Sequence, residues 1–153
     1  MERTEMVDLV ARYTAGWNAG DPQAVGACFS PDAVNRDIAV RVPLQGREGI
    51  AEVAAGFMEA FPDLSRAVAR TVCEADLICV EWHMTGTHSA EVLGIPETGA
   101  HVEIDGCSIL RVGSDGLIAA LTNYWDVAGL LHQLGAVPEP THDPQPTVRA
   151  AGD

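Results

Sequence analysis

The sequence predicts an α+β domain, with a curved antiparallel sheet wrapped around three N-terminal helices into a cone and a short C-terminal helix after it. Three observations carry this. Apolar residues recur at helical spacing through Phe61, they switch to alternation from Leu64 onward, and Gly, Pro and Asp clusters cut the alternating part into hairpins. The 153 residues suit one domain, taken as 1–136, that buries about two thirds of the surface of its unfolded chain. The remainder, 137–153, carries four prolines and few large apolar residues, which predicts a disordered or loosely held tail.

Between Glu2 and Ala19, Met6, Leu9, Val10, Tyr13 and Trp17 fall at spacings of three and four and define one apolar helix face, which Gly20 ends. Asp21-Pro22 reads as an N-cap followed by proline at the first helical position, so a second helix carries Val25, Cys28 and Phe29 inward. Ser30-Pro31-Asp32 is expected to break it, and AVNRDIAVRV, 33–42, to form the first strand. A third helix runs from Arg47 to Phe61 through Ile50, Val53, Ala54 and Phe57, stopped by Pro62.

Strands are then expected over Leu64–Cys73 and Leu77–Thr85, separated by the acidic turn at Glu74-Ala75-Asp76. His101–Val112 pairs with Leu117–Tyr124 across Gly113-Ser114-Asp115-Gly116. The intervening THSAEVLGIPETGA is a loop, and a short helix follows Asp126 from Val127 to Gly135. An antiparallel sheet curled over helices leaves an open end, and there an apolar pocket with a few inward polar groups would form a small-molecule site.

Composition narrows the function classes. A net charge of -13 argues against nucleic acid or an anionic membrane as partner, because both require clustered cations. All nine basic residues are arginine, so a side-chain Schiff base is excluded. The acidic N-terminal stretch lacks the pattern of a secretory signal and no apolar run approaches a membrane span, so a cytoplasmic protein is expected. The four cysteines, Cys28, Cys73, Cys79 and Cys107, show neither disulfide-framework nor zinc spacing and are expected to be reduced and mostly buried.

Several motifs occur in series: Ala60-Phe61-Pro62-Asp63-Leu64, Gly86-Thr87-His88 leading to Glu91, Gly94-Ile95-Pro96-Glu97-Thr98-Gly99, Asp115-Gly116-Leu117-Ile118, and Asp126 followed by Leu130-Leu131-His132-Gln133-Leu134-Gly135. With these the chain, up to Gly135, resembles the SnoaL-like polyketide cyclases of the nuclear-transport-factor-2-like superfamily. The resemblance implies a cone-shaped barrel, a homodimer or homotetramer, a deep pocket, and no metal or cofactor. It also implies closure of the last ring of a polycyclic or polyketide-like substrate by intramolecular aldol condensation, with Asp126 matched to the acid–base aspartate. Where the family often has Glu-His-Trp this chain has Ala120-Leu121-Thr122, and Ser108 and Leu110 stand where a pocket histidine is expected.

Aldol closure needs one acid–base group, a dry pocket and a folded substrate, since a methylene between two carbonyls is already acidic. Asp126 beside Tyr124 and Trp125 would supply that group if it lies in an apolar pocket, and would otherwise cap the last helix. His88, at a strand end, would either reach the pocket mouth as donor or shuttle or be a loop histidine bonded to backbone. Trp82 and Met84 share a face with Ile78 and Val80, the alternation of cavity-lining residues, and Tyr13, Trp17, Phe57 and Phe61 would add aromatic walls from the helices, although for any one of them core packing is the first reading. Asn35, if it faces inward, would hold a substrate carbonyl, and Ser108, Leu110, Thr122 and Tyr124 complete the expected wall. Val40, Cys107 and Ile109 would lie on the open sheet face, where subunits could associate. Two further readings stay open: another reaction in the same pocket, such as epoxide opening, isomerisation or an accessory role in hydroxylation, and a non-catalytic ligand-binding module. A pocket lined only by apolar residues, with Asp126 turned to the helix amides, would favour the module.

Overall fold

The computed structural model describes residues 1–39 and 43–138. The predicted tail therefore falls, but for Val137 and Pro138, outside the described residues, as does Val40. The elements run α1 (Arg3–Asn18), α2 (Pro22–Ala27), β1 (Phe29–Asp37), β2 (Leu44–Gln45), α3 (Gly46–Ala60), β3 (Ser65–Glu74), β4 (Leu77–Thr87), β5 (His101–Val112), β6 (Ile118–Trp125) and α4 (Val127–Gln133). This is an α+β fold in which one six-stranded sheet, ordered β2-β1-β6-β5-β4-β3, curves over α1 and α3.

The helices form for the reasons legible in the chain. α1 buries Met6, Leu9, Val10 and Tyr13, and the Glu5 carboxylate accepts the Glu2 N–H at 2.7 Å, satisfying a donor at the helix start. Gly20, at φ 62°, turns the chain out of α1. Asp21 Oδ1 then accepts the Ala24 N–H at 3.0 Å to start α2. α3 buries Ile50, Ala51, Ala54 and Ala60 and leaves Val53 partly exposed.

The sheet differs from the sequence reading in three places. β1 begins at Phe29 instead of after a break at Ser30-Pro31-Asp32, because its pairing with β6 is irregular between Phe29 and Val34. A proline is tolerated in a strand at such a bulge. The short β2 pairs with Val34 and Asn35 and had no sequence signal of its own. Finally, β1 runs parallel to β6, so the sheet is mixed. Parallel neighbours need a long crossover, and the whole stretch from β2 to β5 provides it. The other pairs, β3 with β4, β4 with β5 and β5 with β6, are antiparallel as expected.

Alternation then sorts the two faces. In β5, Val102, Ile104, Ser108, Leu110 and Val112 point into the core while His101, Glu103, Asp105, Ile109 and Arg111 are exposed. In β4, Ile78, Val80, Trp82 and Met84 are buried and Glu81 and His83 point outward. The outer face keeps exposed apolar side chains at Val72, Leu77, Ile109 and Tyr124. Among the described residues no helix is long and apolar enough to cross a membrane.

Candidate functional site

Two concavities bear on the expected residues. The first lies within the cone and is lined by, among others, Tyr13 and Trp17 from α1, Asn35 and Asp37 from β1, Phe57 from α3, Arg66 from β3, Trp82 and Met84 from β4, and Asn123 and Trp125 from β6. Its volume is about 130 Å3. The second is an open groove of about 650 Å3 on the outer face, lined by Arg70, Glu81, Asp105, Cys107, Tyr124 and Asp126 among others. Chemistry favours the first, where water is restricted and polar groups stand on aromatic walls.

All three tryptophans of the chain, Trp17, Trp82 and Trp125, border the inner cavity. Trp125 is fixed by two interactions. Its ring meets Phe57 edge to face at 6.4 Å, and its indole N–H reaches both oxygens of Asp37 at 2.9 Å. Asp37 Oδ1 also accepts the Ala39 N–H at 2.9 Å, so the carboxylate is held at the end of β1 with a set orientation. Trp82 donates from Nε1 to Ser108 Oγ at 2.9 Å, and Ser108 in turn donates to Asn123 Oδ1 at 2.6 Å. This relay leaves the Asn123 amide nitrogen as the group it offers to a ligand.

Gly106, opposite Trp82 in the ladder, is what lets that indole lie flat on β5, since a methyl at Gly106 would overlap the ring. Across the cavity, Asn35 Oδ1 and Trp17 Nε1 are buried without a hydrogen-bond partner. Buried polar atoms are rarely left so in a folded protein, and a polar ligand in the cavity would supply the partners that the chain does not.

The sequence-predicted wall residues separate into four groups. Tyr13, Trp17, Asn35, Phe57, Trp82 and Met84 are brought together around the cavity. Phe61, Leu110 and Ser108 are fully buried, so they pack the core and, for Ser108, hold cavity residues without facing a ligand. Thr122 is half-buried on β6 opposite Ile109 and is not on the cavity wall. Tyr124 is 46% exposed and faces the outer groove.

Asp126 and His88 both stand outside the inner cavity, Asp126 as a helix cap and His88 bonded to loop backbone. Asp126 is exposed, lines the outer groove, and its Oδ1 accepts the Gly129 N–H at 2.8 Å, which caps α4. Alternation along β6 turns Asn123 toward the inner cavity and Tyr124 to the outer groove, while Trp125 at the strand end borders both, so Asp126 falls on the outer side. His88 is fully buried instead of standing at the mouth. Its ring lies 5.6 Å from that of Phe61, and Nδ1 accepts the Thr98 N–H at 3.2 Å, so it braces the 88–100 loop.

The missed residues are Asp37, Arg66, Asn123 and Trp125. Asp37 had a usable signal: it follows Asn35 by two in a strand, so both share a face. Among the described residues no group of three His, Cys, Asp or Glu side chains is placed to hold a metal ion.

The cysteines also depart from the expected pattern. Only Cys28 is buried, while Cys79 is exposed and its sulfur lies 3.4 Å from that of Cys107 on the outer face. Burial, reinforced by that contact, pushes the Cys107 thiol up to about 11.

Comparison with known proteins agrees with this architecture. The family model for SnoaL-like polyketide cyclase matches residues 7–134. Among solved structures the fold is similar to AclR of Streptomyces galilaeus, a candidate hydroxylase, with a TM-score of 0.80, 26% identity, and coverage of 92% of this chain and 87% of that one. It is likewise similar to TsrD of Streptomyces laurentii, with a TM-score of 0.80, 28% identity and coverage of 90% and 99%. IdmH of Streptomyces antibioticus, a candidate polyketide cyclase, matches at 30% identity with a TM-score of 0.72 and coverage of 84% and 97%. No curated protein matches. With a ketosteroid isomerase-like architecture and a family match over most of its length, the chain belongs to the SnoaL-like polyketide cyclase family.

Proposed function

We propose that this protein closes a ring in a polyketide-like carbonyl compound by intramolecular aldol condensation, with Asp37 as the acid–base group. The observation that carries the proposal is the position of Asp37: it is the one carboxylate on the described wall of the inner cavity, oriented by Trp125 and the Ala39 amide. Asp126 has its carboxylate engaged with the amide of Gly129 on the outer face, and its role in the proposal is the helix cap.

In this reading the Asp37 carboxylate removes a proton from a methylene flanked by two carbonyls. The enolate carbon forms the new bond to a second carbonyl carbon within the same molecule, and the resulting alkoxide takes the proton back from Asp37. The amides of Asn35 and Asn123 hold carbonyl oxygens, and Phe57 and Trp125 supply aromatic wall for an unsaturated chain. The cavity is below the range of about 300–1,000 Å3 common for small-molecule sites. It therefore suits a compact reacting end better than a whole polycycle.

A purely binding role is less well supported, because the cavity wall is not only apolar: Asn35, Asp37, Arg66 and Asn123 all stand on it. The test is incubation with uncyclised polyketide esters, following ring closure by mass and chromatography. Turnover that survives Asp126→Asn and is lost with Asp37→Asn is expected. No closure of any ester by the native protein would overturn the reading.

A further inference from the structure

The cavity contains a cation that the aldol scheme does not use. Arg66 is only 8% exposed, and its guanidinium is enclosed by three aromatic rings: its central carbon lies 4.3 Å from the Trp82 ring centre, 5.3 Å from Tyr13 and 6.0 Å from Trp17. The backbone beside it is anchored independently, since the Arg66 N–H donates to Asn18 Oδ1 at 2.6 Å and its carbonyl accepts from Asn18 Nδ2 at 2.9 Å. Among the described residues no carboxylate lies within ion-pair distance of the guanidinium, although the chain carries 22 acids against nine basic residues. Its Nε is buried with no partner.

Aromatic faces return part of what it costs to bury a cation, but not all of it, and a buried charge ordinarily has an opposite charge beside it. Burial also pulls the Arg66 pKa downward from its ordinary value, with the Tyr13 hydroxyl opposing the shift through its charge interaction and hydrogen bond. A chain that wanted only to fill this space would place methionine or leucine among the three rings.

We propose that Arg66 is the anchor for a planar oxyanion on the ligand, either a carboxylate or the enolate of a 1,3-dicarbonyl, held by the guanidinium inside the Tyr13–Trp17–Trp82 box. The proposal rests on the inner cavity being the substrate site and adds the charge class of what it takes. A guanidinium presents paired N–H donors in one plane, which matches two oxygens in one plane, and such charge-assisted bonds are the stronger kind. The sheet order sets the geometry: β1, carrying Asp37, and β3, carrying Arg66, are separated by β6, β5 and β4, so the two residues stand on different walls. An anion fixed at Arg66 then extends across the cavity with its reacting carbons toward Asp37.

Binding tests this without any turnover, so failure of the aldol scheme and failure of the anchor are separable. Calorimetric titrations of the full chain would compare benzoate with benzamide, and the 1,3-cyclohexanedione enolate with its neutral O-methyl ether, in mildly alkaline buffer. Tryptophan emission of a Trp125→Phe variant would report whether the inner cavity is the site, since Trp17 and Trp82 border it and not the outer groove. The native protein is expected to prefer at least one anion over its neutral counterpart by ~10-fold or more in Kd. Which pair shows the preference tells a carboxylate ligand from an enolate.

Arg66→Met is expected to abolish the preference and to raise the melting temperature, because a buried charge with no carboxylate partner among the described residues is replaced by an apolar side chain of similar reach. Arg66→Lys should retain a reduced preference. Equal affinity for anion and neutral partner in the native protein, or no binding of either anion, overturns the proposal whatever the variants do. So does a preference that persists in Arg66→Met. A lower melting temperature for Arg66→Met would assign the guanidinium to structural stacking and also overturn it.

Discussion

Asp37 and Trp125 are 88 residues apart in sequence, and a single indole N–H joins them by reaching both carboxylate oxygens at 2.9 Å. The bond ties the end of β1 to the end of β6 and sets the plane of the carboxylate. It makes Trp125 a positioning residue for the proposed acid–base group.

Trp125→Phe removes the donor and keeps an aromatic ring against Phe57. Turnover of a cyclisable ester should fall by about 10- to 100-fold in kcat with KM little changed, since misplacement of a reacting group costs rate more than binding. Near-ultraviolet circular dichroism should show the fold retained. An equal change in kcat and KM would remove Trp125 from this role.

Asp126 offers a clean separation of cap from acid. Asp126→Asn keeps a side-chain oxygen for the Gly129 N–H and should leave both stability and turnover near native. Asp126→Ala should cost about 1 kcal/mol in urea unfolding, with activity at permissive temperature unchanged. Loss of turnover in the Asn variant at native stability would return the chemistry to the outer groove.

Gly106 controls the cavity from behind. Gly106→Ala would force a methyl into the Trp82 ring, displacing it from Ser108 and from beneath Arg66. Overpacking of this kind costs about 1–3 kcal/mol, to be measured by thermal or urea unfolding. The same variant should bind aromatic probes more weakly. A native melting curve with native binding would show that Trp82 moves freely.

The acid limb of stability has named contributors. The Thr87 backbone N–H, and next its hydroxyl, hold the Asp63 carboxyl below its ordinary range, with Asp63 oxygens at 2.6 and 2.7 Å from them. The Ser30 hydroxyl, 2.8 Å away, and then the Leu117 N–H do the same for Asp115. Both folded-state pKa values are depressed. Their contribution is therefore complete above the unfolded value of about 4 and is lost as pH falls through that value toward the folded one. Asp63→Asn and Asp115→Asn should each flatten the fall in melting temperature below about pH 4. An unchanged acid limb would mean that these bonds do not persist in solution.

Much of the fold was legible because its punctuation is chemical. Gly20-Asp21-Pro22, Pro62, Glu74-Ala75-Asp76 and Asp115-Gly116 each dictate a local geometry that no tertiary contact has to supply. The parallel pairing of β1 with β6 is a relation between distant segments and leaves no local trace. The site was half legible for a related reason. Helix periodicity and strand alternation identify Tyr13, Trp17, Phe57, Trp82 and Met84 as inward, yet say nothing of where a strand ends, and Asp126 lies one residue beyond β6 where alternation gives way to a helix start. Arg66 was unreadable because an arginine among apolar residues looks like a solvent-facing position until three rings are found around it.

The parallel contact between β1 and β6 has a consequence for how the molecule comes into being. Local hairpins β3–β4, β4–β5 and β5–β6 can form between neighbouring segments, whereas β1 must wait for β6 across most of the chain, the entropically slowest closure in the fold. The Asp37 wall is supplied by that closure. The part of the wall that carries the proposed acid–base group is thus the part most remote in sequence from the strand that holds it in place.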